Sequence, residues 1–223
     1  MYRWFGSLAA VVLAVFLITL SKGISLADGK VIFAANNCGS CHQASGPVTV
    51  KTLEDNLKQK GPELWYSGNK FKKAWLVEWL EAPVPVRPIK FNSVTEKNTD
   101  KHPALSKAEA KEVADYLMTL KAKEVKAGVV EEKATALGKN MFIKKYGCVG
   151  CHVLPDKAGA PKFGGLSGPD LSQAGKRLKG DWVYAYLKYP AAFQPIRRMP
   201  IFAGIIPEDE MKVIAGFITG EKK

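Results

Sequence analysis

The sequence is poor in the residues that most often carry chemistry, since its 223 residues include 4 cysteines and 3 histidines. It contains no Ser/His/Asp triad, no phosphate-binding loop and no paired-carboxylate motif, so these routes to hydrolysis and nucleotide chemistry have no residues to act through. A formal net charge of +12 could attract nucleic acid. The sequence lacks a nucleic-acid-binding motif, however, so we expect no nucleic-acid partner.

The few cysteines and histidines are concentrated in two pentads. Cys38-Gly39-Ser40-Cys41-His42 recurs as Cys148-Val149-Gly150-Cys151-His152, which accounts for every cysteine. In this pattern two thiols on one turn can form thioethers with the vinyl groups of a haem, while the adjacent imidazole binds the iron. Cys-x-x-Cys pairs also bind zinc or form redox disulfides, but both pairs here carry the histidine at the same place, which favours haem. We therefore expect two covalently bound haem c groups, attached through Cys38, Cys41, Cys148 and Cys151, with His42 and His152 as the first iron ligands.

A longer repeat follows the pentads. Its members, each pair 107 positions apart, include Gly61-Pro62 with Gly168-Pro169, Trp75 with Trp182, and Pro88-Ile89 with Pro195-Ile196. A constant offset over such a length indicates duplication. The chain is therefore expected to form two domains, residues 28–125 and 126–223, joined by the charged segment 121–132.

Both halves are predicted to be helical. Helices are expected at 71–82 and 181–189, because each of these segments ends at a proline, which cannot continue a helix. Asp181 is placed to cap the second of them. The closing helix of the first half is expected to begin at Ser106, because Ser106 and Glu109 have the spacing of a capping box.

The N-terminus has the pattern of an export signal. An apolar run at 4–20 follows Arg3, and Ser25-Leu26-Ala27 is a small-residue cleavage site. We expect residues 1–27 to be a signal peptide that directs the protein to the periplasm or an equivalent extracytoplasmic compartment. The alternative is an uncleaved membrane anchor, for which the run lies at the short limit.

With these motifs, the chain after Ala27 resembles tandem class I cytochromes c. The resemblance implies an all-α fold of two tandem domains, each wrapped around one covalently bound haem. It also implies that the opening and closing helices of each half cross at a glycine-aromatic contact, formed by Gly29 and Phe33 with Tyr116, and by Gly138 and Phe142 with Phe217.

The same resemblance implies roles for the repeated prolines and tryptophans. The carbonyls of Pro62 and Pro169 would accept a hydrogen bond from the imidazoles of His42 and His152, which orients a metal-binding ring. Trp75 and Trp182 would line the haem pockets near a propionate. The alternatives are two ordinary Gly-Pro turns and two tryptophans that only pack in the core.

The second half resembles the family in its other iron ligand as well. Arg198-Met199-Pro200 is similar to the family's distal Met-Pro segment, so Met199 is expected to bind the second iron through its thioether. The alternative is a core methionine. Met/His ligation raises the reduction potential of a haem.

The first half departs from this pattern, because Asn92 stands 107 positions before Met199. Six extra residues between Asn92 and Ser106 include His102, the histidine outside the pentads. We expect this longer loop to deliver His102 to the first iron. The alternatives are a five-coordinate or weakly ligated iron near Asn92, a lysine, or Met118. The lysines in question are Lys90, Lys97 and Lys101.

These features predict an electron carrier and not an enzyme, working between redox partners outside the cytoplasm. The basic surface suits partners with acidic docking surfaces. If His102 binds the first iron, the first haem is expected to have the lower potential, and electrons would run from it to the second. The alternatives are a haem enzyme or small-ligand sensor with an open first iron, and a cytochrome subunit of a membrane respiratory complex.

Overall fold

The computed structural model describes residues 26–93, 95–154, 163–197 and 199–220. In this part of the chain the regular structure is helical, with isolated β-bridges and no strand, which confirms the predicted helical class. The first half contains α1 (Leu26–Ala35), α2 (Leu53–Lys58), α3 (Ser67–Lys70), α4 (Lys73–Glu81) and α5 (Lys107–Thr119). The second half contains α6 (Ala136–Asn140), which continues as a π-helical turn (Met141–Lys145), then α7 (Ala174–Arg177), α8 (Gly180–Lys188), α9 (Pro190–Phe193) and α10 (Glu208–Gly220).

The predicted signal peptide or anchor lies outside the described residues, apart from Leu26 and Ala27, which begin α1. Among the helices of the described ranges, none has the length and apolar character needed to cross a bilayer.

The opening and closing helices cross in each half. A side chain at Gly29 on α1 would collide with the carbonyl of Glu112 on α5, and the rings of Phe33 and Tyr116 meet edge to face at 5.5 Å. In the second half a Cβ at Gly138 would collide with Phe217, whose ring lies 5.9 Å from that of Phe142. The helices approach this closely because glycine leaves room for the neighbouring chain.

The capping box predicted at the start of α5 is confirmed. The backbone N–H of Glu109 donates to the Ser106 hydroxyl at 3.4 Å, and the N–H of Ser106 donates to the Glu109 carboxylate at 3.0 Å. The two bonds satisfy two N–H groups that the first helical turn leaves without a partner. α5 then buries Val113 and Leu117 in the core.

The prediction that Asp181 caps α8 is wrong. Asp181 lies inside the first turn, and its carboxylate accepts from the N–H groups of Gly128 at 2.7 Å, Val129 at 2.9 Å and Val130 at 2.9 Å. The N–H of Gly180 at the start of α8 instead donates to Glu132 at 2.8 Å. Asp181 accepts from the segment between the halves because this segment packs on α8 and its backbone N–H groups need acceptors, and Glu132 of the segment accepts from the start of α8 in turn. This segment is therefore fastened to the second half.

The two halves meet through residues at equivalent positions of the repeat. Phe71 and Leu178 form an antiparallel bridge, with the N–H of Lys72 donating to the Arg177 carbonyl and the N–H of Lys179 donating to the Lys70 carbonyl, both at 2.9 Å. Phe71 and Leu178 are equivalent positions under the 107-position offset. The same offset turns the Lys72–Arg177 pair into the Lys179–Lys70 pair. The contact is thus self-complementary, as in a two-fold dimer.

Side chains extend this internal two-fold symmetry. The ammonium group of Lys72 donates to the Gly175 carbonyl at 2.8 Å, and that of Lys179 donates to the Gly68 carbonyl at 2.7 Å. Beside them Tyr66 and Phe193 are fully buried, and their rings meet at 5.1 Å. The hydrophobic core is therefore continuous across both halves.

Candidate functional site

Each pentad forms one tight turn. Cys38–Ser40 and Cys148–Gly150 are 3-10 helical, and the N–H groups of His42 and His152 each donate to the carbonyl of the first cysteine at 3.1 Å. None of the four cysteines takes part in a disulfide. Burial raises the pKa of Cys38, and it raises the pKa of Cys148 to about 11. The attacking thiol of a redox Cys-x-x-Cys pair shows the opposite shift, so these raised pKa values do not favour a redox-active pair.

The imidazoles that follow the cysteines are held in the same way in both halves. The Nδ1 of His42 lies 2.7 Å from the Pro62 carbonyl, and the Nδ1 of His152 lies 2.9 Å from the Pro169 carbonyl. When Nδ1–H donates to a carbonyl, the lone pair of Nε2 is available to a metal. Burial lowers the pKa of both rings, which favours the neutral form that binds metals.

The glycines before these prolines are part of the same arrangement. A Cβ at Gly61 would lie 2.6 Å from Cε1 of His42, and a Cβ at Gly168 would lie 2.6 Å from Cε1 of His152. Each imidazole therefore rests directly on the backbone, and the Gly-Pro pairs serve as its support and not only as turns.

The structure brings the ring of His102, an exposed residue, close to that of His42. Their ring centroids are 6.1 Å apart and the ring planes are inclined by 45°. Two imidazoles that bind one metal from opposite sides, each with its nitrogen at about 2 Å, have ring centres roughly 6 Å apart. The Nδ1 of His102 lies 2.8 Å from the Pro103 carbonyl, and the ring of Trp79 lies 4.7 Å from the His102 ring.

The other groups considered for the first iron have different surroundings. The Asn92 side chain donates to the Leu57 carbonyl at 3.2 Å. Lys90 pairs with Glu96 at 3.1 Å, and this hydrogen bond raises the pKa of Lys90, so its ammonium form, which has no lone pair for a metal, is favoured. Lys97 and Lys101 are exposed, as His102 is, and Met118 packs against the core on α5.

On the second half, Met199 is half-buried and packs against the core, whereas Arg198 lies outside the described residues. The ring of Phe142 lies 6.4 Å from that of His152 and forms one wall of this site.

Two cations lie at the interface, at equivalent positions of the repeat. The Lys70 ammonium is 4.7 Å from the Trp182 ring centre, and the Arg177 guanidinium is 5.9 Å from the Trp75 ring centre. Each cation thus lies over the tryptophan of the other half. Burial lowers the pKa of Lys70 to about 7 and that of Arg177 to about 10, because removing a cation from water disfavours its charged form. A nearby anion would offset this cost.

These groups fit a cofactor that carries carboxylates. Trp182 is buried and its indole N–H has no hydrogen-bond partner within the described part of the chain, and the same is true of the Tyr66 hydroxyl. Buried donors of this kind normally have acceptors. The propionates of a haem would supply both the acceptors and the negative charge, so the residues present are compatible with haem.

The sequence analysis did not predict a role for Trp79 or for the pair Lys70 and Arg177. The spacing of these residues nevertheless indicates one. Trp79 lies four residues after Trp75, on the same face of α4, and the two cations are 107 positions apart, each eight residues after the Gly-Pro proline.

Of the comparisons with known proteins, one bears on the first half of the chain. No curated protein matches the chain, and no solved structure matches it. Within the described ranges, no group of three or more His, Cys, Asp or Glu side chains is arranged to hold a metal ion. A family model does match: residues 26–121, from the start of α1 to just beyond α5, are similar to cytochrome c, which implies covalently bound haem c and a haem-based role in electron transfer.

Proposed function

We propose that this protein is a di-haem c-type cytochrome that carries electrons between redox partners outside the cytoplasm. One observation carries the proposal: the second pentad has the same turn, the same imidazole-to-proline hydrogen bond and the same supporting glycine as the pentad within the cytochrome c match. A histidine site this similar is expected to hold the same group.

In this proposal each half holds one haem, whose iron takes up and releases a single electron. Cys38 and Cys41 attach the first haem, and Cys148 and Cys151 attach the second. Pro62 and Pro169 hold the imidazoles of His42 and His152 in the orientation that presents Nε2. Met199 would supply a thioether ligand to the second iron, which would favour the reduced state.

The interface supports exchange of electrons within the chain. Lys70 belongs to the first half but lies over Trp182 of the second, and Arg177 lies over Trp75 in the reverse sense. Burial places these charges in a medium of low dielectric constant, where electrostatic effects reach further than in water. A propionate beside either tryptophan would therefore be stabilised by a cation from the other half. Trp75, Trp182 and the two cations are proposed to border the propionates.

Export and partners complete the proposal. We propose that residues 1–27 direct the chain out of the cytoplasm, either as a cleaved signal or as an anchor. The net charge of +12 suits redox partners with acidic docking surfaces, and their association would slow as salt is added. A membrane respiratory complex could be such a partner.

The proposal is tested by producing the chain with a c-type haem maturation system and measuring its mass. Two covalent haem additions and two one-electron steps in a redox titration are expected. The double variants Cys38→Ser with Cys41→Ser, and Cys148→Ser with Cys151→Ser, should each remove one haem. A wild-type mass with one haem, or none, would overturn the proposal.

A further inference from the structure

We infer that His102 binds the iron of the first haem opposite His42, so that the two haems of one chain have different axial ligands and electrons pass from the first to the second. The inference rests on the proposed di-haem function. It adds a ligand that the cytochrome c match does not specify.

The two rings have the geometry expected of a pair of ligands to one metal. Their centroid separation of 6.1 Å agrees with the roughly 6 Å expected for two imidazoles on opposite sides of one metal. Each ring also has its Nδ1 within hydrogen-bonding distance of a prolyl carbonyl, at 2.7 Å for His42 and 2.8 Å for His102. Both rings therefore have Nε2 available for the metal.

Backbone hydrogen bonds anchor the inserted segment on both sides of His102. Before it, the N–H of Asn98 donates to the Pro88 carbonyl at 2.8 Å. After it, the N–H of Leu105 donates to the carbonyl of Leu80 on α4 at 2.9 Å. Bonds on both sides reduce the conformational freedom of the intervening residues and lower the entropy cost of placing the ring.

The side chain of Trp79 packs on His102. Trp79 lies 4.7 Å from the His102 ring, and its indole N–H donates to the Val84 carbonyl at 2.8 Å, which orients it. The equivalent residue of the second half is Tyr186, whose hydroxyl donates to Gln194 at 2.8 Å. Trp79 is therefore a positioning residue for His102, and the second half uses the corresponding position differently.

The different ligands give the relay a direction. A thioether ligand raises the potential of a haem relative to a second imidazole. The first haem, between His42 and His102, would thus be the electron donor, and the second haem, with Met199, the acceptor.

The test uses the full two-haem protein, with ferric electron paramagnetic resonance and carbon monoxide binding to the reduced form. In the wild type, both irons are expected to be low-spin and slow to bind carbon monoxide. His102→Gly should make one iron high-spin and open to carbon monoxide, and added imidazole should reverse both changes. Lys101→Ala, which alters an exposed neighbour in the same segment, should change neither signal.

A second variant guards against loss of folding. His102→Met keeps a ligand in place and should raise the midpoint of one haem while leaving the other unchanged. A wild-type protein with an open iron, or a His102→Gly protein that keeps the wild-type signals, would overturn the inference. An unchanged midpoint in His102→Met would also overturn it. None of these results alters the haem count by mass, so a failure of the proposed function is recognised separately.

Discussion

The two halves of the molecule are alike on the side that carries the pentad histidine and differ on the opposite side. His42 and His152 each lie within hydrogen-bonding distance of a prolyl carbonyl, and each rests against the glycine that precedes that proline. Across from them, the first half presents His102 from a longer segment, and the second half has Met199 in the corresponding loop. Under the proposed function, one repeated framework would hold two sites of different chemistry, because each proposed distal ligand belongs to a loop that can change in length without disturbing the helices.

The interface unites these two unlike sites. The backbone pairs at 70–72 and 177–179 exchange partners, and the aromatic core beside them belongs to both halves. We therefore expect the halves to unfold together.

The largest effect is expected from Phe193→Ala, which removes a fully buried ring at this shared core. The free energy of unfolding should fall by about 3–5 kcal/mol, as for other buried aromatic residues. Denaturant unfolding, followed separately by haem absorbance and by helix signal, should show one coincident transition for both halves. Tyr189→Ala, at a side chain 48% exposed, is the control and should cost far less. Two separate transitions would contradict a shared core.

A smaller effect is expected from Gly61→Ala and Gly168→Ala. The new methyl group would lie 2.6 Å from an imidazole carbon in each half, and relieving this contact should cost about 1–3 kcal/mol of stability. The visible spectrum should change at the haem of the altered half. Gly39→Ala and Gly150→Ala place a methyl group in open space and are the matched controls. If only one of the two substitutions lowered stability and changed the spectrum, the surroundings of His42 and His152 would not be equivalent.

Asp181→Ala tests a feature that the first half lacks, because the equivalent residue there is Ala74. The three N–H groups at 128–130 would lose their acceptor, and stability should fall by roughly 1–3 kcal/mol, with water recovering part of the loss. Hydrogen exchange should speed up at these three amides. Asp209→Ala, at an exposed carboxylate on α10, should leave them protected.

The smallest effect concerns pH and the start of α10. Hydrogen bonds from Lys145 and Tyr146 lower the pKa of Glu210 below its usual 4.5. Because the folded pKa is depressed, the stabilisation is present above the unfolded pKa and is lost as pH falls through the folded one. Glu210→Gln should therefore be slightly less stable than the wild type near neutral pH and equal to it in strong acid. Unfolding midpoints at both pH values measure the difference, and an equal deficit in acid would contradict this origin.

The predictions made from the sequence succeeded where the interacting residues are near one another along the chain. The capping box of Ser106 and Glu109 spans four residues. The glycine-aromatic crossings join residues far apart along the chain, and they were expected from the resemblance to tandem class I cytochromes c and not from local spacing. Asp181 was misplaced because a competing backbone segment, more than 50 residues away along the chain, took its carboxylate. Trp79 was not singled out, because a tryptophan on an apolar helix face is compatible with simple core packing.

The two pentads, their offset and the residues available as ligands can be read directly from the amino-acid sequence, since these depend on spacing along one turn or one repeat. The folded chain adds what spacing does not show: the rings of His42 and His102 lie 6.1 Å apart, and each interface cation lies over the other half's tryptophan. Contacts between residues 60 or more positions apart depend on how helices pack and on which buried groups find partners. Those outcomes follow from the whole folded chain and not from any one segment of it.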